Sequence, residues 1–402
     1  MRRGFVLVTT VISATVLVAF VGLVVDAGYL QLVKSRMQTA ADAAAIGGVE
    51  ELNLGDLAGV VAAARADSAA NGFTDGVNNV TVAVHNPPSS GAYSTDSTAV
   101  EAIVNQRVNT LFMGVLGFTS TNVGARAVAR QGSSPTCMYI LDPAASSAFS
   151  ISGGATVRVN CGMIVDSTSN TALSASGGAS VTATAINIAG NYSSSGGASL
   201  SPAPTIHAPA QSDPLAYLSP PTFGACDHTN YKLSGGAVQT VSPGVFCGGI
   251  SLSGGSSLTF NPGTYILLGG GLSVSGGSRL SGSGVTFYNT KDATHSVDSI
   301  SFSGGTVASL SAPTTGALAG ILVFQDRSVT NKDSSLTGGT GCILTGALYF
   351  PGTAMSYSGG STATYTIIVA KTISFSGGST LNADYSSLPA GSPAKAGATL
   401  SE

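Results

Sequence analysis

The sequence has no tryptophan and few charged residues. Asp, Glu, Lys and Arg together make up 9% of the chain, against roughly 25% in ordinary soluble domains. The formal net charge is −3, so there is no basic surface to attract nucleic acid, and we expect no nucleic-acid partner. The lack of tryptophan argues against a carbohydrate binder built on aromatic platforms. A hydrophobic fraction of 43% argues against a disordered chain.

Motifs of catalysis and metal binding are also missing. The sequence contains no C-x-x-C, H-E-x-x-H, G-x-S-x-G or P-loop, and its four histidines are scattered. The nearest cluster of charges, Asp326-Arg327 with Lys332-Asp333, is typical of solvated loops. We therefore predict no catalytic residue, no metal site and no cofactor, in a protein that is not an enzyme.

One long apolar run stands near the N-terminus. Phe5–Val25 contains no charged residue and follows Arg2 and Arg3. At about 1.5 Å per residue in a helix, it is long enough to cross about 30 Å of hydrocarbon. We predict an uncleaved single-pass transmembrane helix with a cytoplasmic N-terminus, which makes the lipid bilayer a partner through residues 5–25.

Two other interpretations of this segment stay open. A cleaved signal peptide would have a shorter apolar region and an A-x-A-like exit, whereas this one ends in Val24-Val25-Asp26. A prepilin-type leader fits a cleavage site at Gly4-Phe5, but Thr9 stands where the mature chain that follows such a leader has an acidic residue, five positions in.

The helix is expected to continue past the membrane to Gly47-Gly48. Apolar residues recur there at spacings of three and four and form one stripe: Leu30, Val33, Met37, Ala41 and Ala44. The many alanines make this stripe small enough for another backbone to approach closely.

Two motifs in this helix resemble the N-terminal signature of TadG-like Flp (tight-adherence) pilus-assembly proteins. They are Val25-Asp26-Ala27-Gly28 and Met37-Gln38-Thr39-Ala40-Ala41-Asp42-Ala43-Ala44-Ala45, which gives the signature residues Asp26, Gly28, Gln38, Ala41, Asp42 and Ala45. The resemblance implies a protein of the bacterial cytoplasmic (inner) membrane, with most of the chain periplasmic or extracellular. It also implies that other pilus-assembly or envelope proteins are its partners.

A second unit follows the signature helix. Residues 51–131 predict a small α+β module with a pilin-like layout: a helix over 54–70, strands over 79–84, 99–108 and 122–129, and a short helix over 110–116. The likeness to pilins is at the level of fold and says nothing of polymerisation.

From Phe149 onward one short unit recurs. An apolar-polar-apolar strand is followed by Ser-Gly-Gly and a second apolar strand, as in ISLSGGSSL at Ile250. The Ser-Gly-Gly elements begin at Ser152, Ser176, Ser195, Ser234, Ser253, Ser275, Ser303, Ser358 and Ser376. A period of about 20 residues with short alternating strands is the signature of a solenoid. Gly-Gly supplies the positive φ of a sharp corner, so we predict a three-sided, right-handed parallel β-helix.

The predicted β-helix covers residues 132–387. A proline-rich insertion at 202–221 interrupts it as a surface excursion, because proline cannot donate to a parallel ladder. The tail at 388–402 is rich in Pro, Ala and Gly and is predicted to be disordered. The fold class is mainly β, with residues 1–50 as the membrane anchor and TadG-like helix.

The spacing of the cysteines predicts two disulfides. Cys137 and Cys161 lie about one repeat apart, as do Cys226 and Cys247. Positions one coil apart stack about 4.8 Å apart, within the usual Cα separation of about 4.4–6.8 Å for a disulfide. Cys342 is then left over, and we expect it to be buried and free.

Three functions remain open from the sequence. The first is a structural or adhesive component of a Flp-type pilus-assembly system, whose β-helix is a stalk or a surface for a ligand such as a cell-surface glycan. The second is a polysaccharide lyase or hydrolase on an anchored β-helix, and the third is an adhesin unrelated to pili. A hydrolase of this fold needs clustered Asp residues, and a lyase needs acidic calcium ligands. The sequence lacks both, which favours the first function.

Overall fold

The structure is a computed structural model, and it describes residues 2–54, 56–133, 136–337, 342–358, 366–376, 379–381, 388 and 392–401. The chain divides into two compact units. Unit 1 combines Met1–Gly132 with Ala396–Glu402, and unit 2 is Ser133–Lys395. Unit 2 is therefore inserted in the sequence of unit 1.

The helices are α1 (Arg2–Leu54), α2 (Val60–Ala70) and a 3₁₀ helix (Met113–Leu116). The strands in chain order are β1 (Val80–His85), β2 (Ala99–Asn109), β3 (Ser120–Ser133), β4 (Thr136–Ile140), β5 (Phe149–Ile151), β6 (Thr156–Val159), β7 (Gly162–Val165), β8 (Leu173–Ala175), β9 (Ser180–Thr182), β10 (Ala185–Ile188), β11 (Tyr192–Ser194), β12 (Ser199–Ser201), β13 (Thr205–Ile206), β14 (His228–Leu233), β15 (Val238–Val241), β16 (Gly244–Leu252), β17 (Ser257–Phe260), β18 (Gly263–Leu268), β19 (Leu272–Val274), β20 (Arg279–Gly282), β21 (Val285–Thr290), β22 (Ile300–Phe302), β23 (Val307–Ser311), β24 (Ile321–Gln325), β25 (Ser334–Thr337), β26 (Ile343–Ser358), β27 (Thr366–Phe375), β28 (Ser379–Leu381) and β29 (Lys395–Leu400).

Unit 1 is a long helix on a four-stranded sheet. The sheet has the order β1-β2-β3-β29, and β2 is antiparallel to both β1 and β3. The small-residue stripe of α1 packs on it: Met37, Ala41 and Ala44 are fully buried. Leu30 and Val33 are partly buried against the same core. The stripe read from the sequence thus marks the side of α1 that faces the sheet.

The end of the chain differs from the sequence-based expectation. Residues 388–402 were expected to be disordered, whereas Lys395–Leu400 forms β29. The N–H of Ser401 donates to the carbonyl of Val128 over 2.8 Å, and the N–H of Ala398 donates to the Glu50 carboxylate over 3.0 Å. Alanine and glycine favour strands only weakly, so the order of this segment comes from pairing with an existing edge strand.

Unit 2 is a parallel β-solenoid with three faces. In a typical coil, β18, β19 and β20 each pair in parallel with the corresponding strand of the next coil, β21, β22 and β23. We call these faces 1, 2 and 3, in the order in which the chain visits them. On face 2, Ile250 and Leu252 are buried and Ser251 is half-buried, as the alternation predicts.

The Ser-Gly-Gly elements form the corner between faces 2 and 3. Gly276 and Gly277 have φ of 62° and 71°, which a residue with a Cβ adopts only under strain. The corners also stack: the N–H of Gly255 donates to the carbonyl of Gly276 over 2.8 Å. Both glycines are therefore required by the positive φ of the turn, and Gly276 also by the close approach of the adjacent coil, where an added Cβ would lie 3.0 Å from the N atom of Gly254.

The coils do not stack in chain order. The late strand β27 pairs with β4 on face 1 and with β5 on face 2, and β28 pairs with β6 on face 3. The first coil thus lies against the last one, and the coils that follow it in sequence, β7–β9 and β10–β12, extend the stack beyond that point. The chain enters and leaves the solenoid at its middle.

For the membrane anchor predicted at Phe5–Val25, the structure describes the backbone but only some of the side chains. The backbone there belongs to α1, but the side chains of residues 5–12, 14–16 and 18–19 are not among those described. Among the residues that are described, no helix is both long enough and apolar enough to cross a membrane.

Candidate functional site

The signature residue Asp26 fixes a loop of unit 1 onto α1. Its carboxylate is buried and accepts the backbone N–H groups of Leu111, Phe112 and Met113 at 2.6–2.9 Å. Burial by itself would raise the pKa of this carboxyl, but the bonds from Met113, Leu111 and Phe112 outweigh it and lower the pKa. The aspartate therefore holds the start of the 3₁₀ helix as an ionised cap.

Two further signature residues are buried alanines. Ala41 and Ala45 have no exposed surface, and they lie on the side of α1 that packs in the core of unit 1. One turn further on, a Cβ added at Gly48 would lie 2.8 Å from a methyl group of Val100. Small side chains along this stripe allow the helix to lie directly on β2.

The remaining signature residues have different surroundings. The side-chain amide of Gln38 donates to the Asp42 carboxylate over 2.8 Å and to the carbonyl of Arg126 over 2.9 Å, which ties α1 to β3. A Cβ added at Gly28 would meet no atom within 4 Å, so packing within the described chain does not explain a glycine at this position.

A buried carboxylate that the sequence did not single out lies on β2, between β1 and β3. The Glu101 carboxylate accepts the Arg126 guanidinium at 2.5 Å and the Ser89 hydroxyl and N–H at 2.5 and 2.9 Å, and the His85 ring lies 3.0 Å away. Burial would raise the pKa of Glu101, but the bonds from Ser89 and Arg126 lower it from 4.5 to about 2. The sequence feature that could have indicated this site is a pair of opposite charges, Glu101 and Arg126, among the apolar residues of β2 and β3.

The acids singled out in the sequence serve structural bonds in the solenoid. Asp326 accepts the Tyr288 and Thr290 hydroxyls at 2.8 and 2.7 Å, and Asp333 accepts the N–H of Ala354 at 3.0 Å. Burial opposes ionisation of Asp326, but the N–H of Ser328 and these hydroxyls lower its pKa. Each acid is thus held by neighbouring backbone or hydroxyl groups, which suits a structural role.

The proline-rich insertion crosses several coils of face 1. We call residues 207–227 the strap. Near its start the N–H of Gln211 donates to the Asp166 carboxylate over 2.9 Å. At its end the N–H of Asp227 donates to the carbonyl of Val245 over 2.9 Å. Because Asp166 follows β7 and Val245 lies in β16, the strap links coils from the two ends of the stack.

Arg327 fastens the middle of the strap. Its guanidinium donates to the carbonyls of Leu215, Ala216 and Leu218 at 2.8–3.1 Å and to the Tyr349 hydroxyl at 2.7 Å. Leu215 and Leu218 are buried in the solenoid core. The outer side of face 1 is thus covered here, which explains why strands such as β24 and β27 are apolar at consecutive positions.

The Tyr349 hydroxyl also donates to the Asp213 carboxylate of the strap over 2.5 Å. Burial raises the pKa of Asp213, although the bonds from Tyr349 and Leu215 and the charge of Arg327 oppose the rise. Burial and the Asp213 carboxylate together raise the pKa of Tyr349. Asp213, Tyr349 and Arg327 therefore form a hydrogen-bonded group in which both charged residues are half-buried, as suits a structural fastening.

The structure contains two disulfides, and they join the same cysteines that the spacing predicts. The Cα atoms are 5.8 Å apart in Cys137–Cys161 and 5.6 Å apart in Cys226–Cys247. The first bond joins the coil of β4 to that of β7, and the second joins the end of the strap to β16. Cys342 is buried and free.

Among the described residues, one group of side chains has atoms close enough to hold a metal ion. The ligand atoms of Cys226, Cys247 and His295 lie within 4.8 Å of one another. Both sulfurs are bonded in the disulfide, and a disulfide sulfur is not the thiolate that metals bind. With the bond formed, the imidazole is the single ligand left, and it does not make a metal site.

The comparisons with known proteins bear on the first part of the chain. Residues 4–70 match the family described as putative Flp pilus-assembly TadE/G-like, and this segment therefore carries a TadE/G-like domain. The matched range contains all six signature residues, so the resemblance read from their motifs is confirmed. Neither the comparison with curated proteins nor that with solved structures found a match.

Proposed function

We propose that the chain is a non-enzymatic component of a Flp-type pilus-assembly system, anchored in the cytoplasmic membrane by Phe5–Val25. Its solenoid then lies outside the cytoplasm as a spacer or an adhesive surface. The observation that carries the proposal is the TadE/G-like match over residues 4–70, which supports a role in pilus assembly. Other pilus or envelope proteins are the expected partners.

Two features support the position in the envelope. Phe5–Val25 has the length and the apolar composition of a single membrane span, and it lies within the family match. Disulfides persist in oxidising compartments and are rare in the cytosol, and the two in this chain are both in the solenoid. Together they favour an anchor with unit 2 on the outer side of the membrane.

The surface of the solenoid supports a contact role. Neighbouring hydroxyls follow one another along its faces, as in Thr259 with Ser281 at 3.0 Å and Ser356 with Ser374 at 3.0 Å. On face 3, a shallow groove of about 490 Å³ is lined by residues that include Thr259, Ser281 and the exposed Ile343. An uncharged surface of hydroxyl and apolar groups suits a neutral ligand such as a surface glycan, and it offers few groups that transfer protons.

Attachment of cells tests the proposal. The native host would carry either the full chain or a chain in which residues 136–394 are replaced by a short linker between β3 and β29. We expect the deletion to impair surface attachment. The matched variant, Asp326→Asn with Asp333→Asn, should attach as the wild type does. A glycan-cleaving activity that this double variant abolishes would support the enzyme instead.

The topology needs its own measurement. Mass spectrometry of the membrane fraction should find the mature N-terminus before Phe5, with the anchor retained. A mature N-terminus near residue 28 would show a cleaved signal peptide, and one at Phe5 would show a processed prepilin-type leader.

A further inference from the structure

An apolar loop of unit 1 lies exposed beside the end of the predicted anchor. The loop is residues 110–118, with the sequence TLFMGVLGF and no charged side chain. Three of its large side chains are exposed: Leu111 is 64% exposed, Phe112 49% and Phe118 62%. Exposed apolar residues that cluster in this way mark a surface that contacts something other than water.

The structure ties this loop to α1 at two levels. Asp26 caps its backbone, as described above, and Phe112 packs on Gly22. A Cβ added at Gly22 would lie 2.8 Å from the Cβ of Phe112. Gly22 precedes Asp26 by four residues, or about 6 Å along a helix. The loop therefore lies beside the last turns of Phe5–Val25, on the membrane side of Asp26.

The helix surface at this level is apolar as well. Val21, Leu23, Val24 and Val25 are all between 42% and 70% exposed. They continue the apolar character of the loop onto α1, so that helix and loop together present a surface of the kind that hydrocarbon accepts.

Backbone groups of the loop form hydrogen bonds within the protein, as an environment poor in water requires. The Asp26 carboxylate takes the N–H groups of Leu111, Phe112 and Met113. The N–H of Phe118 donates to the carbonyl of Met113, and that of Thr110 to the carbonyl of Thr119, both over 3.1 Å. The Thr110 hydroxyl donates to the carbonyl of Phe118. Polar backbone groups must be satisfied internally before a segment can enter the bilayer.

We propose that residues 110–118 insert into the outer leaflet of the membrane beside the anchor, with lipid as the occupant of the exposed apolar surface. The insertion rests on the proposed anchor at Phe5–Val25. A depth of about 6 Å reaches the boundary between headgroups and acyl chains, where interfacial segments lie with Phe and Leu buried. The loop then gives unit 1 a second contact with the bilayer and limits its rotation about α1.

The lack of tryptophan makes a direct test available. Single tryptophans would be introduced by Leu111→Trp and Phe118→Trp in the loop, Phe20→Trp in the anchor and Tyr192→Trp in the solenoid. Phe20 is 62% exposed and Tyr192 37% exposed, so both positions accept a larger ring. The full chain would be reconstituted in vesicles of phosphatidylcholine and phosphatidylglycerol, with a fraction of the lipid brominated near the glycerol end of its acyl chains.

We expect the Leu111→Trp and Phe118→Trp proteins to emit at short wavelength and to lose more than half of their emission to brominated lipid. Tyr192→Trp should lose none. If Phe20→Trp is quenched and the loop tryptophans are not, the insertion is wrong and the anchor stands. If Phe20→Trp is not quenched either, the anchor itself is wrong. Loop tryptophans that emit at short wavelength without quenching would point to a protein occupant and overturn the proposal.

A matched pair of glycine variants tests the docking on α1. In the Phe118→Trp background, Gly22→Ala brings a methyl group against Phe112, whereas Gly28→Ala meets no atom within 4 Å. We expect Gly22→Ala to reduce the quenching of the loop tryptophan and Gly28→Ala to leave it unchanged. Equal quenching in both variants would contradict a loop depth set by contact with Gly22.

Discussion

Val369 of β27 lies opposite Tyr139 of β4 in a parallel pair, although the two residues come from the last and the first coil of the solenoid. The same contact continues on face 2, where Ser374 is opposite Ser150. The chain therefore begins in the middle of the stack and builds outward. It then crosses to the far end along the strap and returns. Both ends of unit 2 come from neighbouring coils, which suits a segment inserted between β3 and β29 of unit 1.

A designed disulfide tests this order of coils. Ser150 and Ser374 are half-buried and directly opposite each other, so Ser150→Cys with Ser374→Cys should form a cross-link on oxidation. The control pair, Ser193→Cys with Ser374→Cys, shares the same column of face 2 but lies further along the stack. Mass mapping should find the first cross-link and not the second. A solenoid that stacked its coils in chain order would form neither.

The order of coils could not have been read from the sequence. Ser-Gly-Gly corners and alternating apolar positions are nearly the same in every coil, so any coil can present a suitable edge to any other. The pattern was sufficient for the solenoid, for the burial of Ile250 and Leu252, and for the two disulfide pairs. The pattern does not predict which coil adjoins which, because the stacking order depends on where the strap runs.

Two features of unit 1 could not be predicted from the sequence for a similar reason. β29 consists of Lys395 followed by small residues and has little strand preference of its own. The Glu101 site joins β1, β2 and β3, and its members are far apart in the sequence. The signature residues were found from their motif. The partners of Asp26 are the backbone N–H groups of residues 111–113, and no side chain in the sequence indicates that contact.

The glycine corners predict a graded loss of stability. Gly276→Ala and Gly277→Ala both place a Cβ at positive φ, which costs about 1–2 kcal/mol. At Gly276 the new Cβ would also lie 3.0 Å from the N atom of Gly254 in the adjacent coil, whereas Gly277 is open. We expect Gly276→Ala to lose about 1 kcal/mol more of the free energy of unfolding than Gly277→Ala. Urea unfolding followed by circular dichroism measures the difference, and equal losses would argue against tight stacking of the corners.

Peptide mapping without reduction should find Cys137 bonded to Cys161 and Cys226 bonded to Cys247. The sample must come from the native envelope, with free thiols alkylated before digestion. Each bond closes a loop of 24 or 21 residues, which stabilises the fold by about 3 kcal/mol in the loop-entropy model. Cys342 should carry the alkyl label, and only after unfolding, because it is buried. Five reduced thiols in native protein would contradict both bonds.

Glu101 should make the stability of unit 1 depend on acid pH. Its pKa is lowered from 4.5 to about 2 in the folded chain, so its contribution is complete above pH 4.5 and is lost as the pH falls toward 2. A shift of this size corresponds to at most about 3 kcal/mol. Glu101→Gln should be less stable at neutral pH and lose less between pH 4.5 and 2. Hydrogen exchange of the β2 amides in increasing urea measures the free energy of unfolding of both proteins at pH 4.5 and at pH 2. If the two proteins lost the same free energy between these pH values, Glu101 would not be the cause of the pH dependence.

The strap should be released when its fastening is weakened. Arg327 makes three bonds to strap carbonyls and one to Tyr349, and the ammonium group of a lysine cannot reproduce that fork. Bonds to a charged donor contribute about 1.5–3 kcal/mol each, so Arg327→Lys should raise the rate of chymotrypsin cleavage at Tyr217 or Leu218 by roughly tenfold or more. Arg279→Lys is the control, because Arg279 is exposed in β20 and lies away from the strap contacts. Its cleavage rate should equal that of the wild type. If Arg327→Lys were cleaved no faster, the buried Leu215 and Leu218 would hold the strap without the guanidinium. The apolar contacts of face 1, rather than the charge, would then determine how the two ends of the stack are linked.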